Sequence, residues 1–470
     1  MKAFECPHCG AQMTYDIAKK VMSCAYCGSE IRREEYQEYL DKNRLYTTNE
    51  LVCPQCGAAV LSYDDTISSF CSYCGSPVAF TKRIVEDSKP DGIIPFAVTK
   101  EEASEKYRKK LKDTGFAPRW LLEGGGTEKL IGLYIPYYVF DASASGHGKS
   151  KGENRTTSGN STIVREYEME YDLDASYSGT RFDAAEAFPD CMSESVDTFD
   201  PEKALDFETS YLAGFYADGG NVSETVYADV VEQLVVNDIR GRTYKHDGIS
   251  FKASTVTPDV EIRSKKILFP VWLHTYRKGD RISYAAINGQ NGDVAAEIPA
   301  DKGRYLKYSL IVAAVLASIL NLFLTIPPTP FLIVSEIILL LFGCSLRKLT
   351  GDVYVRENHL DDLGKIGAEN LSRAASPDGA ATGSAKTSPL SFRVPASVRL
   401  KGWWRTLVGL AVVAAVLLSG TVIDSVFYGA AAFNIVLALW SVFDLLKEQR
   451  LLASRDVPIF TMKRGGDGNA

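Results

Sequence analysis

The sequence predicts a multidomain chain: two small four-cysteine β modules, an α+β domain, and four C-terminal transmembrane helices in two hairpins. Three observations carry this reading. Eight of ten cysteines fall in a tandem repeat of CxxC pairs, residues 90 to 300 mix strand-period and helix-period patterns, and the apolar residues concentrate in two blocks after residue 305. At 470 residues the chain has room for two or three domains of roughly 150 residues each. Its net charge of −7 gives no overall reason to expect a nucleic-acid partner.

The repeat comes first along the chain. The pairs Cys6/Cys9 and Cys24/Cys27, shifted by 47 positions, land on Cys53/Cys56 and Cys71/Cys74 without a gap, and the shift also matches Pro7 to Pro54, Gly10 to Gly57, Tyr26 to Tyr73, Gly28 to Gly75 and Ser29 to Ser76. Alone, the CPHC run Cys6–Cys9 reads equally as a redox dithiol. His8, however, becomes Gln55 in the second copy, and a redox centre needs one CxxC pair rather than four in register. Two knuckles of two thiolates each suit a tetrahedral metal, and the glycine after each second cysteine permits the φ > 0 turn that aims backbone N–H groups at sulfur. The expected cofactors are therefore two structural Zn²⁺ ions, with a rubredoxin-like iron centre as the alternative, and His8 is read as a solvated knuckle side chain. Ribbon 1 with a linker helix is assigned to residues 1–42 and ribbon 2 to residues 48–85. About 25 residues cannot bury a sufficient core alone, so the ribbons should owe their folding to metal.

Residues 1 to 80 carry 7 Lys/Arg against 10 Asp/Glu, and ionised tetrathiolate centres would add further negative charge. Phosphate binding needs clustered cations. Only Lys19, Lys20, Arg32 and Arg33 offer a local patch, so protein docking or a purely structural role is the preferred reading.

From 90 to 300, GIIPFAV reads as a strand, and Thr99 with Glu102 as a capping box for a helix ending near Gly115. Tyr227, Val230, Val231, Leu234, Val235 and Ile239 share one helical face after a cap at Ser223. LYIPYYVFDASASG and LFPVWLHTYRKGD read as related strands, and 281 to 298 as a hairpin turning at Asn291-Gly292. Residues 181 to 240 hold 14 Asp/Glu and 3 Lys/Arg, read as a solvated helical surface in preference to a site for a basic partner.

The first hairpin is placed at 305–346, turning at Pro327-Pro328-Thr329-Pro330, and the second at 405–447, broken at Asp424 and Ser425. A partly disordered cytosolic linker, 347–404, joins them, and a tail, 448–470, follows. Lys302, Arg304, Lys307, Arg347, Lys348, Arg399, Lys401, Arg405, Lys447 and Arg450 flank the hairpin feet, and neither tip is basic. By the positive-inside rule both termini are cytoplasmic in a multi-pass inner-membrane protein. No apolar leader begins the chain, and a reducing compartment suits free thiols. Glu336, inside the second span, is read as snorkelling or as bonding another helix; Asn321 and Asn434 are read as helix-packing residues.

No P-loop, GxSxG or HExxH occurs, LLEGGGTEKL lacks the lysine of a phosphate cradle, and five scattered histidines form no cluster, so the chain is read as non-enzymatic, without a small-molecule substrate. Cys191 and Cys344 have no CxxC partner and are read as inert.

The paired CPxCG ribbons together with IIPFAVTKEEA, GLYIPYYVFDA, SYLAGFYAD, FPVWLHTYR and AINGQNGDVAAEIP resemble a bacterial family of TFIIB-type zinc-ribbon membrane proteins over about residues 1 to 326. Some members of that family occur beside PspA-like and SPFH-domain proteins. The resemblance implies a membrane-anchored scaffold that docks such cytosolic partners during envelope stress; the sequence is compatible with a homo- or hetero-oligomer and does not give the oligomeric state. The alternative is a membrane-tethered nucleic-acid-binding or transcriptional regulatory protein. The second hairpin, after ASPDGAATGSAKTSP, departs from the simpler family pattern.

Overall fold

The computed structural model describes residues 4–457 apart from 5, 10, 44–48, 63–67, 80, 85–89, 124–129, 160, 254–255, 324–326, 359, 361–393, 402 and 421–422. Most of LLEGGGTEKL, most of the expected linker and the end of the tail lie outside the described residues.

In ribbon 1, β1 (Met13–Asp16), β2 (Val21–Cys24) and β3 (Glu30–Arg32) form an antiparallel sheet followed by α1 (Arg33–Asn43). Ribbon 2 comprises β4 (Asn49–Val52), β5 (Ala59–Ser62), β6 (Ser68–Phe70), β7 (Pro77–Ala79) and β8 (Thr81–Ile84). The central domain contains β9 (Gly92–Ile93), α2 (Lys100–Asp113), α3 (Arg119–Glu123), β10 (Ile131–Ser158), β11 (Ser161–Asp183), α4 (Asp190–Val196), β12 (Leu205–Asp206), β13 (Tyr216–Ala217), α5 (Glu224–Gly241), β14 (Thr243–His246), β15 (Ile249–Lys252), β16 (Asp259–Lys278), β17 (Arg281–Asn288) and β18 (Val294–Ala296). Then come α6 (Lys302–Phe323), α7 (Pro328–Glu357), α8 (Ala396–Lys401), α9 (Trp404–Leu418), α10 (Asp424–Leu452) and β19 (Arg455–Asp456).

The long strands β10 and β16 pair antiparallel from Ile131↔Leu273 to Ser145↔Asp259, so the two stretches read as related strands lie side by side at the centre of the sheet. Successive strand residues face opposite sides. Leu133, Ile135 and Tyr137 of β10, with Phe269 and Val271 of β16 and Tyr284 of β17, therefore build one core, which contains the cysteines of ribbon 2. Tyr134, Leu268, Trp272, Ala285 and Ile287 build another on the opposite face, with Phe4, Met13, Met22 and Tyr36 of ribbon 1 and Tyr107 and Leu111 of α2. Each ribbon thus covers one face of the same sheet. Ribbon 2 also joins it edge-on, because β5 pairs β13 at Tyr216↔Ser62 and β13 pairs β10 at Leu133↔Tyr216. The expected boundary between 48–85 and 90–300 is therefore not a structural one.

Several local expectations are met. Thr99 and Glu102 make both bonds of the capping box, Gly115 takes φ +73°, and the Ser223 hydroxyl accepts the Thr225 N–H at the start of α5. Tyr227, Val230, Val231, Val235 and Ile239 are buried, but Leu234 is exposed. GIIPFAV contributes only the two-residue β9, because Pro95 carries no N–H for a ladder; Ala97 and Val98 bond the Gly289 carbonyl instead. The turn after β17 has five residues, with Gly292 at φ +81° and the Asn288 side chain accepting the N–H groups of Gln290 and Asn291. The acidic stretch is not simply a solvated surface. Asp183, Asp190 and Asp218 are buried, Asp197 pairs with Arg181, and Glu208 pairs with Arg33 of ribbon 1.

Two described helices, α7 and α10, are long and apolar enough to cross a membrane, not the four expected. α9 has 15 residues, about 22 Å, short of a ~30 Å hydrocarbon core. α6 is a helix of 22 residues. α7 runs eleven residues past the expected end of the first hairpin, to Glu357, and packs along α10, so the main described helix contact joins one member of each expected hairpin. Glu336 is buried in that contact, where it accepts the Asn434 amide at 3.1 Å, an interhelical bond of the kind expected. Asn434 packs as expected. Arg405 is no free flank: it is buried between Trp404 and Trp440 and bonds Asp444 at 2.5 Å.

After α10 the chain returns to the sheet, where β19 pairs β17 at Arg281↔Asp456. Arg455 and Arg356 both reach buried Glu297, at 2.6 and 3.1 Å, and Arg281 joins Glu357 of α7 and Asp456. Glu297→Ala would leave two largely buried guanidiniums without their shared carboxylate. We expect a loss of roughly 3–5 kcal/mol, read as a lower urea midpoint of the detergent-solubilised protein with the native slope retained.

Candidate metal centres

The segment just before β1 and the β2–β3 turn carry the knuckles of ribbon 1, and the β4–β5 and β6–β7 turns those of ribbon 2. Backbone bonds shape each knuckle alike. The first cysteine N–H donates to the carbonyl five residues on (Cys6 to Ala11, Cys24 to Ser29, Cys53 to Ala58, Cys71 to Ser76), and the glycine N–H returns to that cysteine's carbonyl in three of them. Gly28, Gly57 and Gly75 take φ of +73°, +82° and +65°, as the sequence leads one to expect, while Gly10 lies outside the described residues.

All eight predicted ligands are brought together in two groups, Cys6, Cys9, Cys24 and Cys27, and Cys53, Cys56, Cys71 and Cys74, each with its sulfurs within 4.8 Å of one another. Across the knuckles the Sγ···Sγ distances are 3.6 Å for Cys6–Cys27 and Cys9–Cys24, 3.9 Å for Cys53–Cys74 and 3.8 Å for Cys56–Cys71. A tetrahedral ion with ~2.3 Å metal–sulfur bonds sets its ligands about 3.8 Å apart, whereas a disulfide needs ~2.0 Å. All eight thiols are free. The donor sets thus fit a closed four-sulfur metal site, and each group could hold one ion. Ser29 Oγ lies 3.1 Å from both Cys6 and Cys27 Sγ, and its bonds hold the Cys27 thiol down at about 6. In ribbon 2, bonds from the Cys56 and Cys71 thiols lower Cys53 to about 7.

The two centres differ in their surroundings. In ribbon 1, Cys9 and Cys27 are exposed, as is His8; in ribbon 2 all four cysteines are buried. The repeated tyrosine separates them further. Tyr73 is 0% exposed, donates its hydroxyl to Asp218 at 2.6 Å, and accepts the Tyr284 hydroxyl on its carbonyl at 2.7 Å. Its neighbour Ser72 accepts the Thr275 hydroxyl on its carbonyl, and Arg277 reaches Ser76. Burial, with the Asp218 charge added, holds the Tyr73 hydroxyl well above its ordinary value, so it remains a donor. Tyr26, the matching residue of ribbon 1, is 84% exposed. Ribbon 1 is held from behind, by Tyr15 edge-on to Tyr211 at 5.3 Å, Arg33 over Tyr211 at 4.5 Å, and the Tyr15 N–H on Ala213.

The cations read as a local patch are largely paired: Lys19 with Glu30, Arg32 with Glu35, and Arg33 with Glu34 and Glu208. Cys191, read as inert, touches the helix–sheet junction, with its sulfur 2.9 Å from Arg455 and its thiol raised by burial.

If both groups hold metal, a chromogenic chelator should remove the two ions in separate phases. The ribbon 1 ion should leave first, because two of its sulfurs face solvent, and Cys9→Ser should abolish only the fast phase.

No family model matches the chain, and no solved structure matches it. A curated relative, the uncharacterized protein YdjG of Bacillus subtilis (strain 168), is 30% identical over 322 residues, which cover 64% of this chain and 91% of the relative. With that identity over nine-tenths of the relative's length, the chain belongs to the YdjG family.

Proposed function

We propose that this is a non-enzymatic, membrane-anchored zinc-ribbon scaffold that docks cytosolic proteins of the SPFH-domain or PspA-like kind at the bacterial inner membrane, in the manner of the TFIIB-type zinc-ribbon membrane proteins it resembles. In this reading two closed zinc sites are structural, α7 and α10 anchor the chain, and both termini are cytoplasmic. The observation that carries it is the contrast between the knuckle tyrosines. Ribbon 2 uses Tyr73 to dock onto its own sheet, and the equivalent knuckle of ribbon 1 points Tyr26 at solvent. An 84% exposed aromatic on a rigid, metal-held turn is the kind of anchor that dominates protein interfaces. Docking from behind leaves that knuckle clear.

The pairing of Lys19, Arg32 and Arg33 with carboxylates speaks against the nucleic-acid alternative, which needs unpaired cations for counterion release.

The test is binding of the full-length protein in nanodiscs to purified SPFH-domain and PspA-like proteins from the same genome. Tyr26→Ala should weaken binding at least tenfold, since an aromatic hot spot is worth about 2 kcal/mol or more, with metal content unchanged. Equal binding by wild type and variant would refute docking through this knuckle, and affinity for DNA falling steeply with salt would favour the alternative.

A further inference from the structure

We propose that the cleft between the central sheet and the feet of the membrane helices binds the phosphate of an anionic phospholipid; this rests on the membrane reading above. The cleft encloses about 420 Å³ and gathers side chains that are far apart in sequence: Trp120 of α3, Tyr276 and Lys278 at the end of β16, Lys302 at the start of α6, and Lys447 and Arg450 in the last turns of α10. Among the described residues no carboxylate lines it. Arg281, which also borders it, is already engaged by Glu357 and Asp456. Lys302, which lies just outside the membrane span, has its ammonium pushed below the ordinary value by partial burial and by repulsion from Arg450 and Lys447.

Membrane orientation requires cations near helix ends, but it does not require them to converge on one walled cleft. Convergence without a counter-charge raises the local positive potential and favours an anion. The remaining walls suit the rest of a lipid. Trp120 stands edge-on to Tyr276 at 5.8 Å with Lys278 over its ring at 5.5 Å, and Pro299 and Leu451 add apolar surface for a glycerol backbone. A headgroup entering from the bilayer would meet the cations at the depth where α6 and α10 begin and end.

The experiment uses the full-length protein in neutral detergent, titrated with phosphatidylglycerol or phosphatidylcholine, with bound lipid counted by native mass spectrometry. Wild type should retain phosphatidylglycerol preferentially. K302Q/K447Q/R450Q should lose roughly fivefold in affinity for each charge removed, whereas K109Q/K110Q/K112Q, which removes equal charge from exposed α2, should keep the preference. Equal retention of the two lipids by wild type, or an undiminished preference in the first triple variant, overturns the proposal. Displacement of phosphatidylglycerol by millimolar inorganic phosphate assigns the cleft to a soluble anion and overturns it as well. Flotation with vesicles separates the two levels: a chain that does not float defeats the membrane reading, and one that floats without lipid preference defeats only the cleft.

Discussion

Strand β10 over residues 131–140 and strand β16 over residues 267–276 are buried on both faces, and the rest of the molecule is organised by the need to cover them. A two-sided sheet of this kind cannot remain in water on either side. Here the covers include two ribbons of the same ancestry in sequence, one on each face, with Met13, Met22 and Tyr36 against one side and Leu51, Val60 and Tyr73 against the other. Neither ribbon has enough residues to hold its shape without its sulfur cluster. The sulfur clusters are therefore coupled to the central core and are not appendages to it.

The two copies have diverged in what they present. Ribbon 2 is absorbed through its β5–β13 pairing and its buried knuckle, so its cysteines, its tyrosine and its serine all serve internal contacts. Ribbon 1 keeps the same knuckle geometry but turns it outward. The chain leaves α10 and returns as β19, tying helices to sheet through Arg281, Arg356 and Arg455 on Glu297, Glu357 and Asp456. A sheet fixed to helices and carrying an outward knuckle has the rigidity that docking requires.

Much of this was legible in the residues. The cysteine spacing identified both four-sulfur groups, because knuckle geometry is local and its glycines are diagnostic. The Thr99–Glu102 box and the α5 face were readable for the same reason, since they depend on neighbours within a turn or two. What escaped was set by distant partners. The fusion of ribbon 2 with the sheet rests on the two-residue strand Tyr216–Ala217, whose pairing with β5 spans about 150 positions and leaves no periodic signal. Tyr26 and Tyr73 occupy identical motifs, so nothing local distinguishes the exposed one from the buried one. Nothing in the acidic stretch around Asp218 marks it as the acceptor of the Tyr73 hydroxyl, a partner 145 positions away. The end of α7 leaves no apolar signal, because the helix continues past its apolar run into Arg347–Glu357, where tertiary contacts with the sheet stabilise it in place of lipid.

The most direct measurement of the central claim is zinc-edge X-ray absorption on the purified full-length protein, with metal and protein quantified on the same sample. The account predicts two ions per chain, each ringed by four sulfurs at about 2.3 Å with no nitrogen or oxygen in the first shell. Folded protein with no tightly held metal, or a shell with fewer than four sulfurs, would contradict it.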